Sequence, residues 1–191
     1  MAGTSLNQQR VADIAQSIIK QNPVYLDTET TGLDKDAEIV EIAVVDDAGQ
    51  ILINQLVRPS KPIPAEVTLL HGITNEMVAS AMSWPALWPT VRGYLLGKTI
   101  GIYNAEFDVR IMRQSLERYR LPWRESLSTL DILNLYSEFR GEWDPIHRSL
   151  RRFKLEDAGR YFSIPLPNAH RAADDALLAR ALLRRMAGMD Y

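Results

Sequence analysis

Tyr25-Leu26-Asp27-Thr28-Glu29-Thr30-Thr31-Gly32-Leu33 is a stretch that begins apolar and turns acidic. Val24 to Leu26 reads as the start of a buried strand, and Asp27 and Glu29 follow it at i and i+2. On a strand that spacing puts both carboxylates on one face. Paired buried carboxylates repel each other and lose hydration. A divalent cation relieves both problems, because hard cations prefer carboxylate oxygens. A strand that ends at Asp27, with Glu29 in solvent, accounts for these two residues as well. The rest of the chain has to decide between them.

Ile39 to Val45 reads as a second strand, apolar with Glu41 inside it. Asp46-Asp47-Ala48-Gly49 is a turn signal, and Ile51 to Val57 a third strand. Short links between the three predict an antiparallel meander. Before it, residues 6–20 place Val11, Ile14, Ile18 and Ile19 on one stripe, an amphipathic helix that Asn22-Pro23 stops. After it, Pro59, Pro62 and Pro64 mark a loop. Thr74 is a good N-cap for a short turn holding Met77 and Val78. Trp84 to Leu96 has helical spacing, and Thr99 to Tyr103 reads as a fourth strand. Asn104 is placed to cap a helix from Ala105 to about Tyr119. Leu127 to Leu135 holds a short strand around Thr129 and then a helix. Gly141 to Arg148 reads as loop, Leu155 to Phe162 as helix, and Ser163 to Asn168 as a Pro-rich loop. A helix from Arg171 to about Met186 ends the pattern. Strands in a meander followed by strands alternating with helices predict one α/β domain over residues 1–191, with a mixed sheet. Residues 1–22 form a helical N-terminal extension packed on it.

The composition sets bounds. At 191 residues, 46% hydrophobic and 24% charged, the chain is an ordinary globular one with a sizeable core. No apolar run approaches the ~20 residues that span a bilayer, so no membrane role is expected. There is no cysteine, which excludes disulfides, thiolate metal sites and Cys nucleophiles and fits a cytoplasmic location. The formal net charge of −2 neither advertises nor excludes a nucleic-acid binder. Trp84, Trp88, Trp123 and Trp143 are each open to a core or an interface role.

Three further places bear on Asp27 and Glu29. Asn104-Ala105-Glu106-Phe107-Asp108 is where a strand ends and a helix begins, the usual position of a ligand crevice in an α/β sheet. A carboxylate in a helix's first turn is also what the helix dipole favours, so Asp108 alone decides nothing. His170-Arg171-Ala172-Ala173-Asp174-Asp175 opens the last helix. Residues i and i+5 lie about 140° apart on a helix, so His170 and Asp175 converge only if His170 sits before the helix. Ala172, Ala173 and Ala176 predict close packing of that helix on the sheet. His71 is the third place, next to a helix start where a structural role is as natural as a functional one.

Taken as an ordered set, these stretches resemble the DEDDh group of 3′–5′ exonucleases, which includes polymerase proofreading exonucleases, ribonuclease T and oligoribonuclease. The matching residues are Leu26-Asp27-Thr28-Glu29-Thr30-Thr31-Gly32-Leu33, His71-Gly72-Ile73-Thr74, Asn104 to Asp108, and His170 to Asp175, spanning roughly residues 24 to 186. The resemblance implies a ribonuclease H-like fold: a five-stranded mixed sheet, a three-stranded antiparallel meander plus two parallel strands, flanked by helices. It implies that Asp27, Glu29, Asp108 and Asp175 hold two divalent ions, Mg²⁺ or Mn²⁺, and that His170 is the general base. An imidazole can take a proton from water near neutral pH. Asp27 is the expected bridging ligand, and Asp108 is expected to act largely through water. By the same resemblance Thr30, Leu33, His71, Asn104 and Phe107 meet the 3′-terminal nucleotides. Two departures stand out: the family usually has His where this chain has Tyr103, and Asp174 sits beside Asp175.

The expected activity is metal-dependent removal of nucleoside 5′-monophosphates from single-stranded 3′ ends of DNA or RNA, alone or alongside a polymerase or other nucleic-acid machine. A non-catalytic nucleic-acid-binding subunit and a hydrolase of very short oligoribonucleotides are the rival readings. The basic run His147 to Lys154, and Arg110, Arg113, Arg118, Arg120 and Arg124, are candidates for phosphate contacts or a solvated face.

Overall fold

A computed structural model describes residues 6–165 and 170–191. The expected loop at Ser163 to Asn168 therefore falls partly outside the described residues, as do residues 1–5 of the N-terminal extension. The elements run α1 Leu6–Ile19, β1 Val24–Thr30, β2 Ile39–Asp46, β3 Ile51–Arg58, α2 Ala65–His71, α3 Asn75–Val78, β4 Met82–Ser83, α4 Trp84–Leu95 and β5 Thr99–Ile102. They continue with α5 Ala105–Glu117, β6 Ser128–Asp131, α6 Ile132–Arg140, β7 Trp143–Asp144, β8 Ser149–Leu150, α7 Leu155–Tyr161 and α8 Ala172–Met186. The main sheet has the order β4-β3-β2-β1-β5-β6. β1, β2 and β3 pair antiparallel as a meander, and β5 and β6 continue the sheet in parallel with β1.

The sheet has six strands where five were expected. The addition is the two-residue β4, parallel to the outer side of β3, too short to leave any alternation in sequence. Gly141 to Arg148, read as a loop, contributes β7 to a small antiparallel hairpin with β8.

β1 is buried on both faces, and its alternation sorts the molecule into two layers. Val24 and Leu26 belong to a core with α4 and α5, including Trp84, Trp88, Ile111 and Met112. Trp84 and Trp88 are therefore core residues, their rings 5.3 Å apart, while Trp143 is exposed. Tyr25 belongs to the opposite core, with α1, α6 and α8. A fully buried side chain such as Leu26 stabilises the fold by roughly 1.5–3 kcal/mol relative to an exposed one. Tyr25 crosses directly against β5, where a Cβ on Gly101 would stand 2.8 Å from its ring. The residue opposite Tyr25 has to be glycine for that reason.

The same alternation continues past the apolar residues. Asp27 and Glu29 follow Tyr25 toward α8, and Thr28 follows Leu26 toward α5. Ala43 of β2 lies opposite Asp27 in the ladder and packs with Ala172 and Ala173, so small residues let the start of α8 come close to the sheet. The predicted close packing of this helix is found.

Candidate active site

Each acidic residue reaches the site by a local rule. Asp27 and Glu29 share a face of β1 by its period of two. Asp175 is in the first turn of α8, where a carboxylate suits the helix dipole. Carboxylate oxygens of Asp27, Glu29 and Asp175 lie within 4.8 Å of one another. Asp108, in the first turn of α5, is not part of that triplet. It approaches from the other side of β1, is 3% exposed, and accepts a 2.7 Å hydrogen bond from the Thr28 hydroxyl. Its charge still acts on Asp27.

The electrostatics express the crowding. Burial first, then Asp108, Asp175, Glu29 and Glu41, hold the Asp27 carboxyl well above the usual carboxylate range. Burial, then Asp175 and Glu41, push Glu29 up to about 8 against the opposing charge of Arg171. Burial raises Asp108 to about 7, although the hydrogen bond from Thr28 pulls the other way. Asp175 is raised to about 6, chiefly by burial, with His170 opposing. Without a counter-cation, like charges and lost hydration favour the protonated form of each of these groups.

Glu41 lies across the β1–β2 ladder from Glu29 and is 2% exposed. Its carboxylate is fully engaged elsewhere. Arg171 grips it with two hydrogen bonds, of 2.6 and 3.1 Å, and the Ala172 backbone N–H donates a third of 3.0 Å. This pair clamps the start of α8 to the sheet and fixes where Asp175 stands. In the sequence Glu41 stands inside an apolar strand with no role assigned to it. A lone carboxylate there is the signal that could have exposed it, since an unpaired one is too costly to bury.

His170 sits before α8, as convergence with Asp175 required. Its backbone is left-handed, with φ 65°, and its N–H donates to Asp175 at 3.2 Å. The imidazole is 42% exposed, with Nε2 3.5 Å from Glu156 Oε1 of α7. Glu156 is thus a neighbour that the sequence did not suggest.

The residues expected to meet substrate are distributed as follows. Thr30 ends β1, and its hydroxyl donates to the Gly32 carbonyl at 2.7 Å. Leu33 is 79% exposed beyond it. Phe107 is partly buried against the α5 core, with the Arg110 guanidinium 5.2 Å from its ring centre. Arg110 also donates to the Leu33 carbonyl, at 3.2 Å, tying the two neighbourhoods together. His71 is 4% exposed; its Nδ1 accepts from the Ile73 N–H at 3.0 Å and its Nε2 lies 3.3 Å from the Thr30 carbonyl. An accepting Nδ1 puts the proton on Nε2, so the ring is a neutral prop between α2 and the end of β1. Burial lowers its pKa accordingly.

Asn104 differs from the expectation that its side chain caps α5. It occupies the N-cap position with a left-handed backbone, and its side chain makes no capping bond. Its side-chain oxygen accepts instead from Arg152 at 2.8 Å. Tyr103 donates its hydroxyl to the Phe153 carbonyl at 2.8 Å, so this departure has a structural use. In the basic run, His147 pairs with Asp144, and Arg151 with Glu142, both within the hairpin.

No described helix is long and apolar enough to cross a membrane. A family model described as "Exonuclease" matches residues 24–183. The chain is 36% identical over 192 residues to an uncharacterised exonuclease, CP81, of Escherichia phage 186, with 96% of this chain and 97% of that protein covered. It is 29% identical to the 3′-5′ exonuclease DinG of Bacillus subtilis, over 90% of this chain but only 19% of that protein. Against the solved structure of exonuclease X in complex with 5′-overhanging duplex DNA the TM-score is 0.66, with 26% identity and coverage of 86% of this chain and 90% of that one. With its ordered acidic stretches falling inside the matched region and its two-layer sheet superposing on a solved exonuclease, the chain belongs to the exonuclease family.

Proposed function

We propose that this enzyme removes nucleotides from the 3′ end of nucleic acid, single strands foremost, with Mg²⁺ or Mn²⁺ bound by Asp27, Glu29, Asp175 and Asp108. The observation that supports this most is the convergence of Asp27, Glu29 and Asp175 oxygens within 4.8 Å of each other. The donor set fits two hard divalent ions. It is all carboxylate, its members are raised in pKa by mutual repulsion and burial, and the nearby Arg171 is committed to Glu41. When bound, such a pair of ions activates a water on one side of the phosphodiester and stabilises the departing 3′ oxygen on the other.

The chain's own groups supply the remainder. His170 accepts the attacking water's proton. Its backbone N–H holds Asp175, so the base is anchored beside a ligand while its imidazole stays free to turn. Its Glu156 contact lies at the rim of the site, and substrate draws the imidazole from there toward the acidic cluster. The end of β1 at Thr30, braced by His71, receives the terminal sugar and phosphate. Leu33 and Phe107 present apolar surface on which terminal bases stack, a contact that tolerates any base. Asn104, linked to Arg152, brings a cation to the same rim.

We further read residues 1–191 as one catalytic domain, with α1 as an extension packed on α6 and α8. A polymerase or other nucleic-acid machine is a fitting partner, because 85% of this chain matches 11% of a DNA polymerase III PolC-type protein.

The test uses strands labelled at the 5′ end, DNA and RNA in parallel, with a 5′-overhanging duplex as a third substrate. With Mg²⁺ or Mn²⁺ the products form a ladder that shortens from the 3′ end, and a chelator abolishes it. Binding without cleavage, or cleavage of dinucleotides alone, overturns the proposal.

A further inference from the structure

At the end of the sheet away from the acidic cluster, the start of β1, the β2–β3 turn, the end of α4 and the middle of α8 line an open cavity of about 830 Å³. That volume is within the range of small-molecule sites, roughly 300–1,000 Å³. Lys98, Arg180 and Arg184 line it, with Tyr94, Leu52 and Pro23 as apolar wall.

Arg180 is the telling residue. It is 9% exposed, an unusual degree of burial for an arginine, and it forms no ion pair among the described residues. Its Nε donates to the Asp47 backbone carbonyl at 2.7 Å, and Gly49 lies against its guanidinium. Its two terminal nitrogens have no hydrogen-bond partner among the described residues, and the side chain lines both this cavity and a neighbouring one of about 500 Å³ beside Gly49. The charges of the two acidic residues in the lining partly offset it, but neither forms an ion pair with it among the described residues. Asp47 accepts from the Tyr25 hydroxyl through Oδ1 at 2.8 Å and from Arg184 through Oδ2 at 2.7 Å. Asp46 Oδ1 accepts from the Gln50 backbone N–H at 2.8 Å. Burial and the adjacent Arg184 both disfavour the charge on Arg180. A buried guanidinium of this kind is stable when an anion meets its fork.

We propose that this cavity is a second binding site, separate from the acidic cluster, for a phosphate monoester on a nucleoside. Arg180 grips the phosphate from the cavity wall, Arg184 reaches it with the terminal nitrogen that Asp47 leaves free, Lys98 closes over it as a point charge, and the base lies along Tyr94 and Leu52. The proposal does not depend on the catalytic reading, because it uses none of the same side chains. A free nucleotide and the 5′-phosphate end of a strand share this chemistry.

Calorimetric titration of the metal-free protein with inorganic phosphate, AMP and adenosine tests it. Chelation matters, since divalent ions held at the other site would bind phosphate themselves. One AMP is expected to bind, phosphate more weakly and adenosine undetectably. Lys98→Ala, an exposed position that leaves the core untouched, should weaken AMP by about tenfold, as should Arg184→Gln. Asp175→Asn should leave the affinity unchanged. Displacement of AMP by a 5′-phosphorylated strand but not a 5′-hydroxyl strand identifies a strand end as the source. Displacement by neither identifies the free nucleotide. Equal binding of adenosine and AMP, no binding of AMP, or binding lost in Asp175→Asn and kept in Lys98→Ala each overturns the site.

Discussion

Glu29→Gln should make the metal-free protein more stable at alkaline pH and no different at acid pH. The folded-state value of Glu29 is about 8, against 4.5 for an ordinary glutamate. Raised in the folded state, this group contributes stability that is fully present below its unfolded value and is lost as pH rises through about 8. At about 1.4 kcal/mol per pKa unit the full loss is ~5 kcal/mol, and relaxation around a charged carboxylate brings the expected effect nearer ~2 kcal/mol. For a chain of this size that is ~4–8 °C in Tm. Glutamine occupies the same volume and never ionises, so it escapes the loss. Thermal melts in chelator near pH 5 and near pH 8.5 measure it: the two proteins should coincide at the first and separate at the second. Added Mn²⁺ should then reverse the order at high pH, because wild type gains the ions' binding energy and the variant gains less. A Glu29→Gln protein no more stable than wild type at alkaline pH, or equally displaced at both, would refute the crowded-carboxylate account.

Asp27→Ala should abolish turnover and leave the circular dichroism spectrum unchanged; activity near wild type removes Asp27 from the site. His170→Ala should slow single-turnover cleavage by about 10²–10⁴-fold while Mn²⁺ still raises Tm as in wild type, so a lost Mn²⁺ response would mark the residue as structural. Glu41→Gln breaks the clamp on Arg171 and should cost about 1–3 kcal/mol in urea unfolding, together with weaker Mn²⁺ stabilisation as Asp175 shifts. Gly101→Ala forces a Cβ against the Tyr25 ring and should cost about 1–3 kcal/mol, with the metal response retained in the folded fraction.

The β1 stretch was legible because one rule, alternation, governs it throughout. The apolar residues divide between two cores, and the carboxylates inherit the direction of Tyr25. The position of His170 was legible because helix geometry leaves no alternative if it is to approach Asp175. What escaped the sequence depends on distant partners or on pieces too short for periodicity. β4 and the β7–β8 hairpin have two residues per strand, and no pattern can repeat in two. Asn104 looks like a cap by type, but its side chain answers to Arg152, 48 positions away. His71 offers no clue that both its nitrogens are taken, since one partner, Thr30, comes from another part of the fold. Thr28 reads as a spacer between two acids until α5 brings Asp108 to its hydroxyl.

The grip of Arg171 on Glu41 also settles a matter of valence. Asp27, Glu29, Asp108 and Asp175 sum to four negative charges, the number that two doubly charged cations balance. Glu41, directly across the ladder from Glu29, would be a fifth, leaving a net anionic pocket for an anionic polymer to enter. On the proposed two-ion reading, the guanidinium of Arg171 balances that fifth carboxylate, so a loaded pocket would be near electroneutral and a phosphodiester would not be turned away.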